Sequence, residues 1–230
     1  MRIVSYNTRG SLGMDDRRST PRIAQVVRSL SPDLVCFQEI HQRLPWSGGE
    51  DQPLLLGQLL GRAFVFQRLL HIGFGGFGNG IALRGRIGER KEHLLPSKKE
   101  QRGVLELRLH DIGGLHRLTV FCTHWGLQEE ERRQQAAELA ALINAAPRPL
   151  ILCGDLNEGA DGAALRHLLI ETGLRDADAE RNQATYPSNA PSARIDYILY
   201  SPELTLRHYE VVASEASDHR PILADFDRAS

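Results

Sequence analysis

Residues 150–157 read Leu-Ile-Leu-Cys-Gly-Asp-Leu-Asn: four apolar residues, then a glycine, an acid and an amide. A short apolar run of this kind is typical of a buried strand. At three further places in the chain, a polar residue follows such a run: Asn7, Glu39 and His124. In α/β sheets, side chains at strand ends project into a cleft while the backbone stays rigid. The pattern therefore predicts one site assembled from several strand ends.

The distribution of apolar runs predicts the fold class. They indicate about ten strands, at residues 3–6, 34–37, 64–70, 80–83, 104–109, 118–123, 150–153, 195–200, 206–212 and 222–226. Helices are expected at residues 21–30, 54–60, 128–145 and 161–171, the first with Thr20 as its cap and Pro21 in its first turn. Intervening helices indicate an α/β protein, while hairpin-like strand pairs indicate mixed sheets. We expect a four-layer sandwich, with two packed mixed β-sheets flanked by helices.

The domain organisation is expected to be simple. No repeat, low-complexity tract or linker divides the 230 residues, a length that suits one α/β domain, so residues 1–230 are interpreted as a single domain. The glycine-dense stretch GFGGFGNG, residues 73–80, is expected to form a loop or tight turn. Segments 46–51 and 84–102 are positions where specificity loops are expected.

Composition favours a compact soluble enzyme over a dedicated nucleic-acid binder. Lys and Arg number 28 against 29 for Asp and Glu, and aromatic residues make up 6%, so neither a basic face nor stacking platforms are indicated. Between residues 84 and 102, seven basic residues face three acidic ones, an excess of four. A solvated loop or hairpin explains such a run more simply than a binding patch does.

The cysteines and the N-terminus bear on the compartment. Cys36, Cys122 and Cys153 each lie within an apolar run and lack metal-binding spacing, which predicts buried thiols in a reducing compartment. The chain begins with a strand-like segment rather than a secretory signal, and no apolar run reaches the length of a membrane span. We expect a cytoplasmic protein without stable membrane insertion.

Each polar residue at a strand end also has an ordinary structural interpretation. Asn7 and Asp155 suit turns or caps, and a lone His124 is more often hydrogen-bonded than catalytic. Glu39 suits a solvated strand end, and Asp196 suits either an ion pair with Arg194 or a position on a solvent face. Only the combination, several competent residues at successive strand ends, favours chemistry.

Seven segments, taken in order, resemble the signature segments of the endonuclease/exonuclease/phosphatase superfamily. They are RIVSYN (2–7), DLVCFQE (33–39), GNGIAL (78–83), TH (123–124), ILCGDLN (151–157), RIDYI (194–198) and SDHRP (217–221). The most specific parts are GDLN and SDH, at their mutual distance and in this order. The resemblance spans nearly the whole chain and implies the deoxyribonuclease I-like fold.

The resemblance also implies a metal site. Glu39 resembles the principal metal carboxylate, with Asn7 and Asp218 beside it as oxygen ligands or near-ligands. Oxygen donors of this kind select Mg²⁺ or Mn²⁺. Asp155 resembles the residue that orients or deprotonates the attacking water, and Asn157 the amide that holds a nonbridging phosphate oxygen.

The remaining roles concern the phosphate. His219 is expected to hydrogen-bond it, oriented by Asp196 in a histidine–carboxylate pair, and His124 matches a position where branches of the superfamily use a second histidine or a tyrosine. Arg102, before Gly103, resembles an arginine that lipid- and inositol-directed or general phosphodiesterase members place near the phosphate, which an Arg fork suits geometrically.

The implied activity is hydrolysis of a phosphodiester or phosphomonoester by direct attack of an activated water. The substrate is expected to be a phosphorylated small molecule, a lipid or a nucleic acid, and no protein partner is inferable. A general phosphodiesterase or phosphatase is the first interpretation and a DNA endonuclease or exonuclease the second. An abasic-site nuclease fits less well, because residues 10–13 lack the acid usual there. A non-catalytic scaffold is third, since every expected position carries a competent residue.

Overall fold

The structure, a computed structural model, describes residues 1–228, and these form twelve strands and four α-helices. The order is β1 (Arg2–Asn7), α1 (Thr20–Leu30), β2 (Leu34–Gln42), α2 (Gln52–Leu60), β3 (Ala63–Ile72), β4 (Gly75–Leu83), β5 (Arg86–Leu95), β6 (Arg102–Ile112), β7 (Leu115–His124), α3 (Glu129–Ala145), β8 (Leu150–Asp155), α4 (Ala163–Thr172), β9 (Arg175–Asp176), β10 (Asp196–Tyr200), β11 (Leu204–Val211) and β12 (Ile222–Arg228). Short 3-10 turns lie at Arg9–Ser11 and Pro45–Ser47. Within residues 1–228, none of the helices combines the length and the hydrophobicity needed to cross a bilayer.

The strands form two six-stranded mixed sheets. The first has the order β11-β12-β1-β2-β4-β3 and the second β5-β6-β7-β8-β10-β9. Each contains a central parallel pair, β1 with β2 and β7 with β8, while its other pairs are antiparallel. Parallel neighbours end at the same sheet edge. This topology therefore brings four strand ends, two from each sheet, to one side of the molecule.

Apolar side chains fill three interfaces between four layers. Residues of both sheets, among them Ile3, Leu34, Leu105 and Ile198, form the central core. Helices α1 and α2 pack on the outer face of the first sheet, and α3 and α4 on that of the second. The predicted four-layer α/β sandwich is confirmed.

The glycine-dense stretch is mostly a strand, so its expected assignment to a loop was wrong. Only Gly73 and Phe74 form the turn, and β4 continues from Gly75 to Leu83 with every residue buried. A Cβ atom at Gly78 would lie 1.9 Å from the carbonyl oxygen of Gln67. Glycine is required here because neighbouring backbone approaches too closely for a side chain. The stretch has the composition of a loop because close tertiary packing, and not a turn, requires its glycines.

Three smaller differences concern element ends and edges. Strand β5 lies in the charged segment 84–102 and forms the outer strand of its sheet, where charged side chains discourage pairing with another chain. The two-residue β9 was not expected. Helix α1 is capped by Ser19, whose hydroxyl accepts a hydrogen bond from the amide of Arg22, rather than by Thr20.

Candidate active site

The four predicted strand-end residues meet where the two sheets face each other. Asn7 ends β1, Asp155 ends β8 and His124 ends β7. His124 and Asp155 are direct neighbours in the parallel β7–β8 register, and Asp196 at the start of β10 is paired with Asp155 from the other side. Adjacent strands thus align these side chains without help from flexible loops.

The side chain of Asn7 connects the two sheets. Its amide nitrogen Nδ2 donates to Oε1 of Glu39 at 3.0 Å and to Oδ2 of Asp155 at 2.9 Å, while its Oδ1 accepts from the backbone amide of Arg9. The Asn7 side chain is fully buried. A single amide therefore holds two carboxylates from opposite sheets within reach of one ligand. In this arrangement nitrogen, not oxygen, faces the carboxylates.

Glu39 was expected at the end of a strand, but it lies inside β2, which continues to Gln42, and a β-bulge presents its side chain. The pairing of β2 with β4 shifts register between Phe37 and Ile40, and Glu39 has a φ of 56°, in the left-handed region that side chains rarely adopt. Bulges of this kind redirect a side chain, and strained residues cluster at functional sites. Burial raises the pKa of Glu39, and the hydrogen bond from Asn7 opposes that rise.

Asp155 lies at the centre of the cluster and is buried. The backbone amide of Asn157 donates to its Oδ1 at 2.9 Å. Its Oδ2 lies 3.4 Å from Nε2 of His124 and 3.6 Å from Nε2 of His219. Burial raises the pKa of Asp155 to about 7, against the opposing charge of His219. A carboxylate poised in this range is suited to exchange a proton with water.

His219 and Asp196 form a histidine–carboxylate pair. Nδ1 of His219 donates to Oδ2 of Asp196 at 2.9 Å, and the same oxygen accepts from the hydroxyl of Thr185 at 2.6 Å. Burial alone would lower the pKa of His219, but Asp196, with Asp155 and Asp218 nearby, raises it to about 10. The imidazole is therefore held as a cation, with Nε2 directed at Asp155.

Of the two histidines in the cleft, His124 is the uncharged one. Burial, with the positive charges of Arg102 and His219, lowers its pKa well below the ordinary value. Its Nε2 lies 3.0 Å from Nδ2 of Asn157, which also donates to the carbonyl oxygen of Trp125 at 2.9 Å. Two imidazoles in one cleft thus carry different charges because their neighbours differ.

The rim carries the remaining predicted residues. Asp218 is partly exposed and accepts a hydrogen bond from the hydroxyl of Ser217. Arg102 opens β6 as expected, is buried, and places Nη1 2.7 Å from Oε1 of Glu100. Arg102 lies close enough to His124 for its charge to affect the pKa of that residue.

Four residues around the site were not predicted. Nε of Arg9 lies 3.5 Å from Oδ2 of Asp218, and Glu100 pairs with Arg102. Thr185 supports Asp196, and the ring of Tyr186 packs at 4.9 Å from that of His219. Arg9 and Glu100 could have been found from the sequence, because each lies two residues from a predicted site residue, Asn7 and Arg102 respectively. No sequence pattern marks Thr185 or Tyr186.

The donor set suits a divalent cation. Glu39, Asp155 and Asp218 offer carboxylate oxygens, the donors that Mg²⁺ and Mn²⁺ prefer. Two of these carboxylates have raised pKa values because they are buried. A cation would stabilise their charged forms. Asp155, Asp196 and His219 also have ligand atoms within 4.8 Å of one another, but Asp196 and His219 already share a hydrogen bond.

The chain is similar to known proteins over almost its full length. Residues 4–219 match the sequence profile described as the Endonuclease/Exonuclease/phosphatase family. The uncharacterized protein YbhP of Escherichia coli K12 is 27% identical over 241 residues, covering 94% of this chain and 92% of YbhP.

Solved structures show the same fold at lower identity. An endonuclease/exonuclease/phosphatase from Beutenbergia cavernae superposes with a TM-score of 0.84 at 23% identity, over 99% of this chain and 71% of that one. The mannosyl-6-phosphatase Bt3783 of Bacteroides thetaiotaomicron gives 0.80 at 20% identity, over 99% of each chain. Both likenesses concern the backbone and leave the substrate of this chain open.

Proposed function

The chain belongs to the endonuclease/exonuclease/phosphatase family, and from that premise we propose that it is a Mg²⁺- or Mn²⁺-dependent phosphoesterase that hydrolyses its substrate by direct attack of water. Members of this family are hydrolases of phosphoester bonds. What we propose for this chain is the identity of the metal, the roles of the residues and the class of ester.

One observation carries the proposal: Asn7 bridges Glu39 and Asp155, and the charged His219 lies 3.6 Å from the same oxygen of Asp155. Carboxylates that a cation can neutralise and a cationic imidazole therefore face one small space. A phosphoester carries negative charge, and its transition state gains more on the oxygens around phosphorus. This combination suits that charge distribution.

Glu39, with Asp218 and Asn7, would hold the ion. The bound cation would act as a Lewis acid toward phosphate oxygens and lower the pKa of a coordinated water. For Asn7 to contribute an oxygen, its amide must turn over, because Nδ2 now faces Glu39 and Asp155. Asn7 otherwise serves by holding the two carboxylates in place.

The other residues act on water and phosphate. Asp155 orients the attacking water and accepts its proton, a role that its raised pKa suits. His219 donates a hydrogen bond from Nε2 to the phosphate, and Asp196 keeps it charged through Nδ1. Asn157, His124 and Arg102 supply further contacts to phosphate oxygens. This set requires no covalent enzyme intermediate.

The preferred activity is that of a general phosphodiesterase or phosphatase acting on a phosphorylated small molecule or lipid. Arg102 supports it, since a buried arginine beside the site suits a compact phosphate. A DNA endonuclease or exonuclease is the alternative, and a net charge of −1 argues against it. The three free, buried cysteines support the cytoplasm as the compartment.

Hydrolysis of bis-p-nitrophenyl phosphate and p-nitrophenyl phosphate tests the proposal. Turnover is expected with Mg²⁺ or Mn²⁺ and should stop on chelation. Asp155→Asn and His219→Ala should each abolish most of it, whereas Asp161→Asn and His116→Ala, which alter exposed residues outside the site, should not. Full activity in the first two variants would remove both residues from the mechanism. Rapid plasmid nicking that falls steeply with salt would favour the nuclease alternative.

A further inference from the structure

The guanidinium of Arg102 is buried, yet it lacks well-aligned hydrogen bonds. Its side chain is only 8% exposed. Within residues 1–228, Arg102 forms its hydrogen bonds through the backbone, among them those with Ser97 and Gln101, and its Nη1, which solvent does not reach, forms none. A guanidinium carries five N–H donors, and a buried donor without an acceptor is costly. The Arg102 side chain is therefore arranged to receive acceptor atoms from a ligand.

Glu100 lies where such a ligand would bind. Its Oε1 is 2.7 Å from Nη1 of Arg102, but the contact lacks the alignment of a hydrogen bond. In the described part of the chain, Glu100 is the one acid that forms an ion pair with Arg102. Aligned, bidentate contacts are the strong ones between a guanidinium and an anion. Glu100 therefore neutralises the charge of Arg102 but leaves its hydrogen-bonding capacity largely unused.

The side chain of Glu100 can leave Arg102 while the backbone around it stays in place. It is 39% exposed, so water can solvate the carboxylate once it turns away. The neighbouring backbone is fixed by the hydroxyl of Ser97, which accepts from the amide of Arg102 at 2.9 Å, and by Nε2 of Gln101, which donates to the carbonyl oxygen of Leu95 at 2.8 Å. Because a partly exposed ion pair is weak, a side-chain rotation is enough to exchange Glu100 for another anion.

The pair is close to the residues expected to surround the phosphate. The negative charge of Glu100 helps to raise the pKa of Glu39. The positive charge of Arg102 helps to lower the pKa of His124. Each partner is thus near enough to a site residue from one of the two sheets for its charge to act there, so an anion that replaces Glu100 on Arg102 would lie within the cleft.

We propose that Glu100 is an internal competitor for phosphate on Arg102: its carboxylate pairs with the guanidinium before substrate binds, leaves when the phosphate group arrives, and returns as the phosphate product departs. That Arg102 contacts substrate rests on the proposed function. Two terminal oxygens of a phosphate match the fork of a guanidinium, which the single contact from Glu100 does not. Glu100 thereby limits how tightly the product is held.

Calorimetric titration with inorganic phosphate, in the presence of Mg²⁺, tests the competition. Glu100→Gln keeps the shape of the side chain but removes its charge, so the dissociation constant for phosphate should fall about threefold or more. The KM for p-nitrophenyl phosphate should fall with it. Glu89→Gln is the matched control, because Glu89 is 41% exposed and pairs with Arg108, outside the site. This control should bind phosphate as the wild type does.

The double variant Glu100→Gln with Arg102→Met shows whether the competition acts through Arg102. In the Arg102→Met background, Glu100→Gln should lose most of its effect on phosphate binding, because coupled residues are not additive. An equal gain in that background would indicate general repulsion of phosphate by Glu100 and would overturn the proposal. Weaker binding in Glu100→Gln alone would also overturn it, since that result is expected if Glu100 orients Arg102 or holds the metal.

Binding and turnover together separate this proposal from the proposed function. A protein that hydrolyses esters, but whose Glu100→Gln variant binds phosphate no more tightly than the wild type, would refute the competition alone. The expected order of phosphate affinities without hydrolysis of any ester would refute the proposed function alone. Failure of both the wild type and Glu100→Gln to bind phosphate would refute the competition.

Discussion

Replacing Asp196 by Asn should change the pH range in which the enzyme works. The amide keeps the shape of the carboxylate beside Nδ1 of His219 but removes its charge. The pKa of His219 now stands at about 10 against an ordinary 6.5, and Asp196 is the largest influence that raises it. Without that charge, burial, which lowers the pKa of His219, is opposed only by the weaker influences of Asp155 and Asp218, so this pKa should fall to about the ordinary value or lower. A histidine of raised pKa is charged below it and loses its charge as pH rises through it.

The size of the effect follows from that shift. With a pKa of 6.5 or lower, His219 would be charged in at most about 3% of molecules at pH 8, so the loss there should be about thirtyfold or more. The assay is kcat/KM for bis-p-nitrophenyl phosphate against pH at saturating Mg²⁺. Asp196→Asn should lose its alkaline activity at lower pH than the wild type, and its activity relative to that of the wild type at the same pH should recover in part in acid. Thr185→Val, which removes one hydrogen bond to Asp196 but no charge, should shift the profile less. A loss of equal size at every pH would refute this reasoning.

Three further predictions concern metal binding, phosphate binding and the packing of β4. Glu39→Gln should raise the Mg²⁺ concentration needed for half-maximal activity by about tenfold or more, since losing even a residue that supports a metal ligand weakens metal binding by about that much. An unchanged metal titration would exclude Glu39 as the main ligand. Arg102→Met should raise KM for p-nitrophenyl phosphate more than it lowers kcat, whereas Arg86→Met, on the exposed edge strand, should leave both unchanged; a loss confined to kcat would contradict a role in phosphate binding. Gly78→Ala should destabilise the fold by about 1–3 kcal/mol or more in urea unfolding, because its Cβ would meet the carbonyl oxygen of Gln67; Gly159→Ala, with open space around it, is the control, and equal stability of the two variants would refute the packing argument.

The strand-end residues were accessible from the sequence because each follows an apolar run. Asn7, His124 and Asp155 end their strands where the pattern changes from apolar to polar, and parallel pairing then aligns the ends. Glu39 was also predicted from the apolar run before it, but the β-bulge that presents it was not predicted. A register shift depends on the partner strand β4, whose pairing leaves no mark in the residues around Glu39.

What the sequence did not predict depends on long-range packing. Strand β4 is glycine-rich because neighbouring backbone fills the space where side chains would lie, and local patterns assign such a stretch to a loop. Strand β5 is the outer strand of its sheet and carries many charged residues, so it lacks the apolar face by which a strand is predicted from sequence. Thr185 and Tyr186 reach Asp196 and His219 from a segment without regular structure, so only the fold shows their contribution.

Diffraction from crystals soaked in Mn²⁺, recorded for anomalous scattering, tests the central claim most directly. One strong peak is expected in contact with the carboxylate of Glu39, in the cleft that Asp155 and His219 share, and Glu39→Gln should weaken it. A peak held by surface carboxylates, or none in the cleft under conditions in which the enzyme turns over, would contradict the account.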